Sequence, residues 1–185
     1  MRSLGQDGRY EAMKPLLFLD VDGVLNYHRP PCREYLVEVR CEEMAVNAFT
    51  ARFEKETVEF KVYIPSAYPG WLAELSEHFE LVWATTWEDL ANKHLSGLLG
   101  LGQLRVVNFA QPTFSQVKNH DVAMWKWRSI VEFAGETPFC FVDDQAQSLA
   151  RVMPVSKSAL QGVICTPNGL LRKHVDQLLE FAAGL

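Results

Sequence analysis

The sequence predicts an α/β domain built on a parallel sheet, and three observations lead to that expectation. Short apolar runs alternate with helical patterns from Leu16 onward, which is the order that strand-helix-strand units produce. The first run, Leu16-Leu17-Phe18-Leu19, is continuously apolar, as suits a strand buried on both faces. Two of the runs end in closely spaced carboxylates, Asp20 with Asp22 and Asp143 with Asp144. The ends of buried strands are rigid places to mount chemistry.

The elements follow in order. The first strand is expected over 16–20, and Gly23 then allows a sharp turn that other residues would make under strain. Residues 27–69 form an insertion that a crossover connection does not need. Within it Val58, Phe60, Val62 and Ile64 alternate with Glu59, Lys61 and Tyr63, a half-buried strand pattern, and Val37 and Val39 suggest its partner. This insertion reads as a small β flap or, equally, as a decorative hairpin. A helix over 70–79 leads to a second strand over 80–85, which ends in Thr85 and Thr86. After a helix over 88–99 comes a third strand, 104–109, with no ionisable group at its exit. The next helix, 121–134, places Val122, Lys126, Ile130 and Phe133 on one face, so that Lys126 interrupts an apolar stripe. A strand over 139–143, a helix over 145–152, a strand over 162–166 and a helix over 168–182 complete the chain. Asn168 is the expected N-cap of the last helix. One domain over 15–185 with a tail over 1–14 is the organisation expected.

Composition narrows the function classes. The 185 residues are 48% hydrophobic and 22% charged, which suits one domain with a sizeable core. A net charge of −5 supplies no general attraction to phosphate backbones, so nucleic-acid binding would need a local basic patch. Arg151, Lys157, Arg172 and Lys173 are the candidates for one, against a solvated surface. No apolar stretch approaches the ~20 residues of a membrane span, and the polar start MRSLGQDGRYEAMK lacks the apolar core of a secretory signal. A soluble, cytoplasmic protein with no membrane partner is therefore expected. Cys32, Cys41, Cys140 and Cys165 show no metal-ligand spacing and read as reduced structural thiols. Among the tryptophans, Trp83, Trp87, Trp125 and Trp127 flank the motifs; most read as core, and Trp87 alone as a surface on which a base could stack.

Two carboxylates as close as Asp20 and Asp22 repel unless a cation or a proton lies between them, which suggests a metal, a shared proton, or both. A polar turn would also use Asp and Gly. The order of the remaining motifs favours chemistry. DVDGV at Asp20 to Val24, a strand-end Thr at Thr85 or Thr86, Lys126 on a helix and the strand-end pair Asp143-Asp144 together resemble the haloacid dehalogenase (HAD) superfamily of phosphohydrolases. Within it, LVWATTWEDLAN and FVDD are similar to the HAD domain associated with RNA-repair proteins, although such domains often carry Gly where this chain has Thr86.

The resemblance implies a Rossmann-like sheet of order 5-4-1-2-3, a cap module at the site of the insertion, and phosphoryl transfer through an aspartyl-phosphate. It implies Asp20 as nucleophile and Asp22 as general acid and base. Mg²⁺ would be held by Asp20, the Asp22 backbone carbonyl and Asp143, with Asp144 on metal-bound water. Thr85, or Thr86 one residue on, would bind phosphoryl oxygens, and Lys126, preferred over Lys118, would neutralise the phosphate. The expected substrate is a phosphomonoester, on a nucleotide or a nucleic-acid end. A 5′-nucleotidase or sugar phosphatase is the alternative within the fold, and a non-catalytic HAD-fold binding domain is the alternative outside enzymes.

Overall fold

The computed structural model describes residues 2–4, 10–12, 14–26, 36–46, 54–110 and 122–185, with side chains over 14–26, 62–110 and 122–185. Five parallel strands form the central sheet: β3 (Leu16–Leu19), β6 (Glu80–Trp83), β7 (Arg105–Val106), β8 (Phe139–Asp143) and β9 (Gln161–Cys165), in the order β7-β6-β3-β8-β9. Numbered as sheet strands this is the expected order, with the first strand at the centre. The helices are α1 (Tyr68–His78), α2 (Asp89–His94), α3 (Val122–Ala134), α4 (Gln147–Val152) and α5 (Arg172–Ala182).

Side chains alternate across a strand, so a continuously apolar strand serves two cores. Leu17 and Leu19 pack on one face with Leu72 and Leu75 of α1 and Val175, Leu178 and Phe181 of α5. On the other face Leu16 and Phe18 pack with Ala123 and Ile130 of α3 and Leu149 of α4. Phe18 meets Phe133 and Phe139 edge to face, with ring centroids 5.6 and 5.4 Å apart. Layers of helix on both sides hold the sheet and leave the carboxyl ends of its strands as the place where polar groups gather.

Inside the insertion, β4 (Leu36–Val46) and β5 (Glu54–Tyr63) form an antiparallel hairpin in which Val37 faces Val62 and Val39 faces Phe60. The strand pattern and its partner are those read from the sequence. The segment expected as a tail contains a second short hairpin, β1 (Arg2–Leu4) with β2 (Tyr10–Ala12). Three boundaries differ from expectation. The third strand keeps only two residues, because it lies at the sheet edge and pairs on one side alone. The helix expected over 88–99 stops at His94, ahead of Gly97 and Gly100, the latter with φ +70°, since glycine weakens a helix. Asn168 does not cap the last helix: Gly169 turns the chain at φ +83°, Leu170 is buried, and the helix starts after Leu171, whose N–H donates to His174 Nδ1.

Candidate active site

Asp20 follows the last residue of β3, and its N–H donates to the Val142 carbonyl of β8 at 3.0 Å. The parallel register that pairs Leu19 with Val142 carries on to set Asp20 beside Asp143. From β3 the chain continues to β6 on one side and only later to β8 on the other. The crevice at such a reversal, beyond the carboxyl ends of the strands, is where open α/β sheets bind ligands.

Lys126 reaches this crevice from α3. Its Nζ lies 2.7 Å from Asp20 Oδ2 and 2.9 Å from Asp143 Oδ2, with only 2% of the side chain exposed. Each contact at an effective dielectric near 20 gives about 6 kcal/mol of attraction before desolvation is subtracted. Burial pulls the Lys126 ammonium toward neutrality, but the two carboxylates outweigh it and hold its pKa above the ordinary lysine value. For Asp20, burial and the charges of Asp143 and Asp22 push the pKa up to about 7, against the pull of Lys126. Asp20 therefore needs positive charge around it to act as a carboxylate at neutral pH.

A third acid completes the group. Carboxylate oxygens of Asp20, Asp143 and Asp144 lie within 4.8 Å of one another. Asp20 Oδ1 accepts the Val21 N–H and Asp143 Oδ1 accepts the Gln145 N–H, both at 2.8 Å, so the carboxylates are aimed by backbone. The donor set is hard oxygen throughout, which suits Mg²⁺ better than a metal that prefers nitrogen or sulfur. Gly23 makes the arrangement possible in two ways. It holds φ +74°, and a Cβ on it would fall 2.3 Å from Asp144 Oδ2.

The carboxylate of Asp22 lies outside that group and takes different partners. Asn26 Nδ2 donates to its Oδ1 at 2.8 Å and Trp87 Nε1 donates to its Oδ2 at 2.9 Å. Asn26 Oδ1 in turn accepts the Tyr63 N–H at 2.9 Å, at the end of the inserted hairpin. Thr85 is fully buried one residue beyond the level of Asp20, and its Oγ1 accepts the Trp87 N–H at 3.3 Å.

A family model described as the HAD domain in Swiss Army Knife RNA repair proteins matches residues 16–175. The chain belongs to this family. No curated protein and no solved structure gives a significant match. Its five-stranded parallel sheet is the Rossmann-like fold of a HAD domain.

Of the residues singled out in the sequence of this HAD domain, Asp20, Lys126, Asp143 and Asp144 are brought into one cluster, and Asp22 and Thr85 stand at the ends of the neighbouring strands. Thr86 is half-buried in the turn after Thr85. Lys118 lies outside the described residues. Of the basic candidates, Arg172 is engaged by Glu74 and Asp176 and Lys157 faces Glu180 at 4.0 Å, while Arg151 and Lys173 are exposed. Trp87 offers no stacking surface, because its ring is 0% exposed and its N–H is spent on Asp22. The two cysteines whose side chains are described are free thiols, Cys140 buried and Cys165 half-buried, the latter's Sγ donating to the Asp144 carbonyl at 3.3 Å. Cys165 is thus less enclosed than its strand suggested, because β9 is an edge strand. Among the described residues, no helix is long and apolar enough to cross a membrane.

Sequence reasoning missed Asn26 and the role of Trp87 as a donor. The signal for Asn26 was present: a polar side chain closing an apolar run, four residues beyond Asp22, where a tight turn brings its amide back. Nothing local marked the Trp87 contact.

Proposed function

We propose that this HAD domain is a Mg²⁺-dependent phosphatase that hydrolyses a phosphomonoester through an aspartyl-phosphate, with a nucleotide or a nucleic-acid phosphate end as substrate. The observation that carries the reading is the buried contact of Lys126 with Asp20 and Asp143 beside a third carboxylate. A purely structural site has little reason to bury two acids against one lysine with a third, half-buried acid beside them, since the desolvation penalty offsets much of the attraction. The family's association with RNA repair proteins supports an end of RNA as substrate.

Asp20 is read as the nucleophile. One of its oxygens forms a bond to phosphorus while the bond to the leaving oxygen breaks, and Asp22 gives its proton to that oxygen. Water then attacks phosphorus and loses a proton to Asp22, and the Asp20–phosphorus bond breaks to release phosphate and restore the carboxylate. Lys126 lowers the repulsion between Asp20 and the incoming dianion, and Thr85, or Thr86 beside it, holds phosphoryl oxygens. Asp20, the Asp22 backbone carbonyl and Asp143 would hold Mg²⁺, with Asp144 beside them. When bound, the ion supplies the charge that offsets the phosphate oxygens. A cytoplasmic setting suits the free thiols of Cys140 and Cys165.

The test is phosphate release from an aryl phosphate, mononucleotides, a sugar phosphate and 5′- or 3′-phosphorylated oligonucleotides, with Mg²⁺ and with a chelator. Turnover that requires Mg²⁺ and favours the oligonucleotide ends is expected. Preference for free mononucleotides or the sugar phosphate would move the substrate class to small molecules. Absence of hydrolysis across the panel would leave a binding domain.

A further inference from the structure

The two strand-end acids of the DVDGV motif live in different electrostatic company. Asp20 is held by a cation, Lys126 Nζ at 2.7 Å. Asp22 makes no ion pair among the described residues and is held by two neutral N–H donors, one on each oxygen. A carboxylate paired with a lysine is biased toward the charged form that a nucleophile needs, here against the opposing effect of burial. One that is aimed by neutral donors keeps a second lone pair on each oxygen, where a proton can ride.

The two donors are themselves fixed. Trp87 is fully buried, and its backbone N–H donates to Thr85 Oγ1, so the turn that carries Thr85 also sets the indole. Asn26 is 8% exposed, and its carbonyl oxygen is tied to the Tyr63 N–H, which orients the amide so that Nδ2 faces Asp22. Asp22 itself is half-buried, in the turn that leaves β3.

We propose that Trp87 and Asn26 are positioning residues for Asp22: two neutral donors, from the turns after β6 and β3, that fix the direction in which its carboxyl passes a proton to the leaving oxygen. This rests on the reading of Asp22 as the acid of the phosphatase. Asn26 also ties that direction to the base of the inserted hairpin through Tyr63.

Leaving groups differ in how much they need that proton. A nitrophenolate departs without one, whereas an alkoxide or a ribose oxygen does not. Weakened positioning therefore slows poor leaving groups selectively, which lost stability or lost substrate binding would not do. The experiment measures kcat/KM, which reports the steps through departure of the leaving group, for a series of aryl phosphates and an alkyl phosphate. It compares wild type, Trp87→Phe, Asn26→Asp and Trp83→Phe. Trp87→Phe removes the indole donor and keeps an aromatic ring. Asn26→Asp removes the amide donor while an oxygen remains for the Tyr63 N–H. Trp83→Phe is the matched control, since Trp83 is also fully buried and donates its Nε1–H at 3.0 Å to Asn92 rather than to Asp22.

In Trp87→Phe and Asn26→Asp the alkyl phosphate should lose about tenfold or more and nitrophenyl phosphate less than about threefold, part of the 10²–10⁴ that a placed acid contributes. The slope against leaving-group pKa should steepen accordingly. Trp83→Phe should change all substrates alike. A wild-type slope in both Asp22-facing variants overturns the inference and leaves the phosphatase standing. A wild-type protein that cleaves none of the phosphates overturns the phosphatase, and this inference with it.

Discussion

Replacing Lys126 by Met removes the one cation in contact with Asp20 and Asp143 among the described residues and keeps most of the side-chain volume. The ammonium lies 2.7 and 2.9 Å from the two carboxylates, which are 9% and 1% exposed in their side chains. Removing one partner of a buried pair strands the other charge, at a loss of about 3–5 kcal/mol. Two acids are stranded here, but one can take up a proton, so the loss should stay within that range. For a chain of this size each kcal/mol moves the melting point by about 2–4 °C, so Tm should fall by roughly 6–20 °C. Activity should fall by about 10²-fold or more, as when a preorganised charge is lost from a site shielded from water. Denaturant melts with and without Mg²⁺, alongside single-turnover hydrolysis, measure both. Mg²⁺ should restore more stability to the variant than it adds to wild type, because the ion neutralises the acids that the lysine no longer serves. A variant as stable as wild type without Mg²⁺, and within about threefold of its turnover, would refute the electrostatic account of the cluster.

Asp20→Asn should abolish turnover by more than about a thousandfold while the melt stays cooperative, since the substitution removes the nucleophile and little volume; near-normal hydrolysis by the folded variant rules out an aspartyl-phosphate on Asp20. Asp143→Asn should weaken Mg²⁺ binding in a calorimetric titration, and an unchanged affinity removes Asp143 from the ion. Gly23→Ala should lower stability by at least about 1–2 kcal/mol from its positive φ alone. It should also weaken Mg²⁺ binding, because the new Cβ would meet Asp144 Oδ2 at 2.3 Å and push that carboxylate aside; wild-type affinity in the variant would show that Asp144 is not needed where it sits.

The sequence by itself determined the alternation of strands and helices, both acid-bearing strand ends, and the placing of Lys126 on an apolar helix face. These are short-range properties. Apolar continuity over four residues marks β3, and a carboxylate that follows such a run emerges at the strand end whatever else the chain does. Helical period alone puts Lys126 on the face shared with Ile130, which is the face that packs on the sheet. Tertiary structure decided what lies across gaps in the chain. Asp22 and Trp87 are 65 residues apart, and their contact exists only because β3 and β6 are neighbours whose exit turns face each other. For the same reason Trp87, which the sequence offered as a stacking surface, is a buried donor: its surroundings come from two turns that no local pattern relates. Gly23 shows both levels in one residue. Its turn could be read from the motif, but the carboxylate of Asp144 lying where a Cβ would be is a consequence of β8 packing beside β3. Local periodicity sets which residues reach the crevice, and the packing of separate strands sets which of them touch.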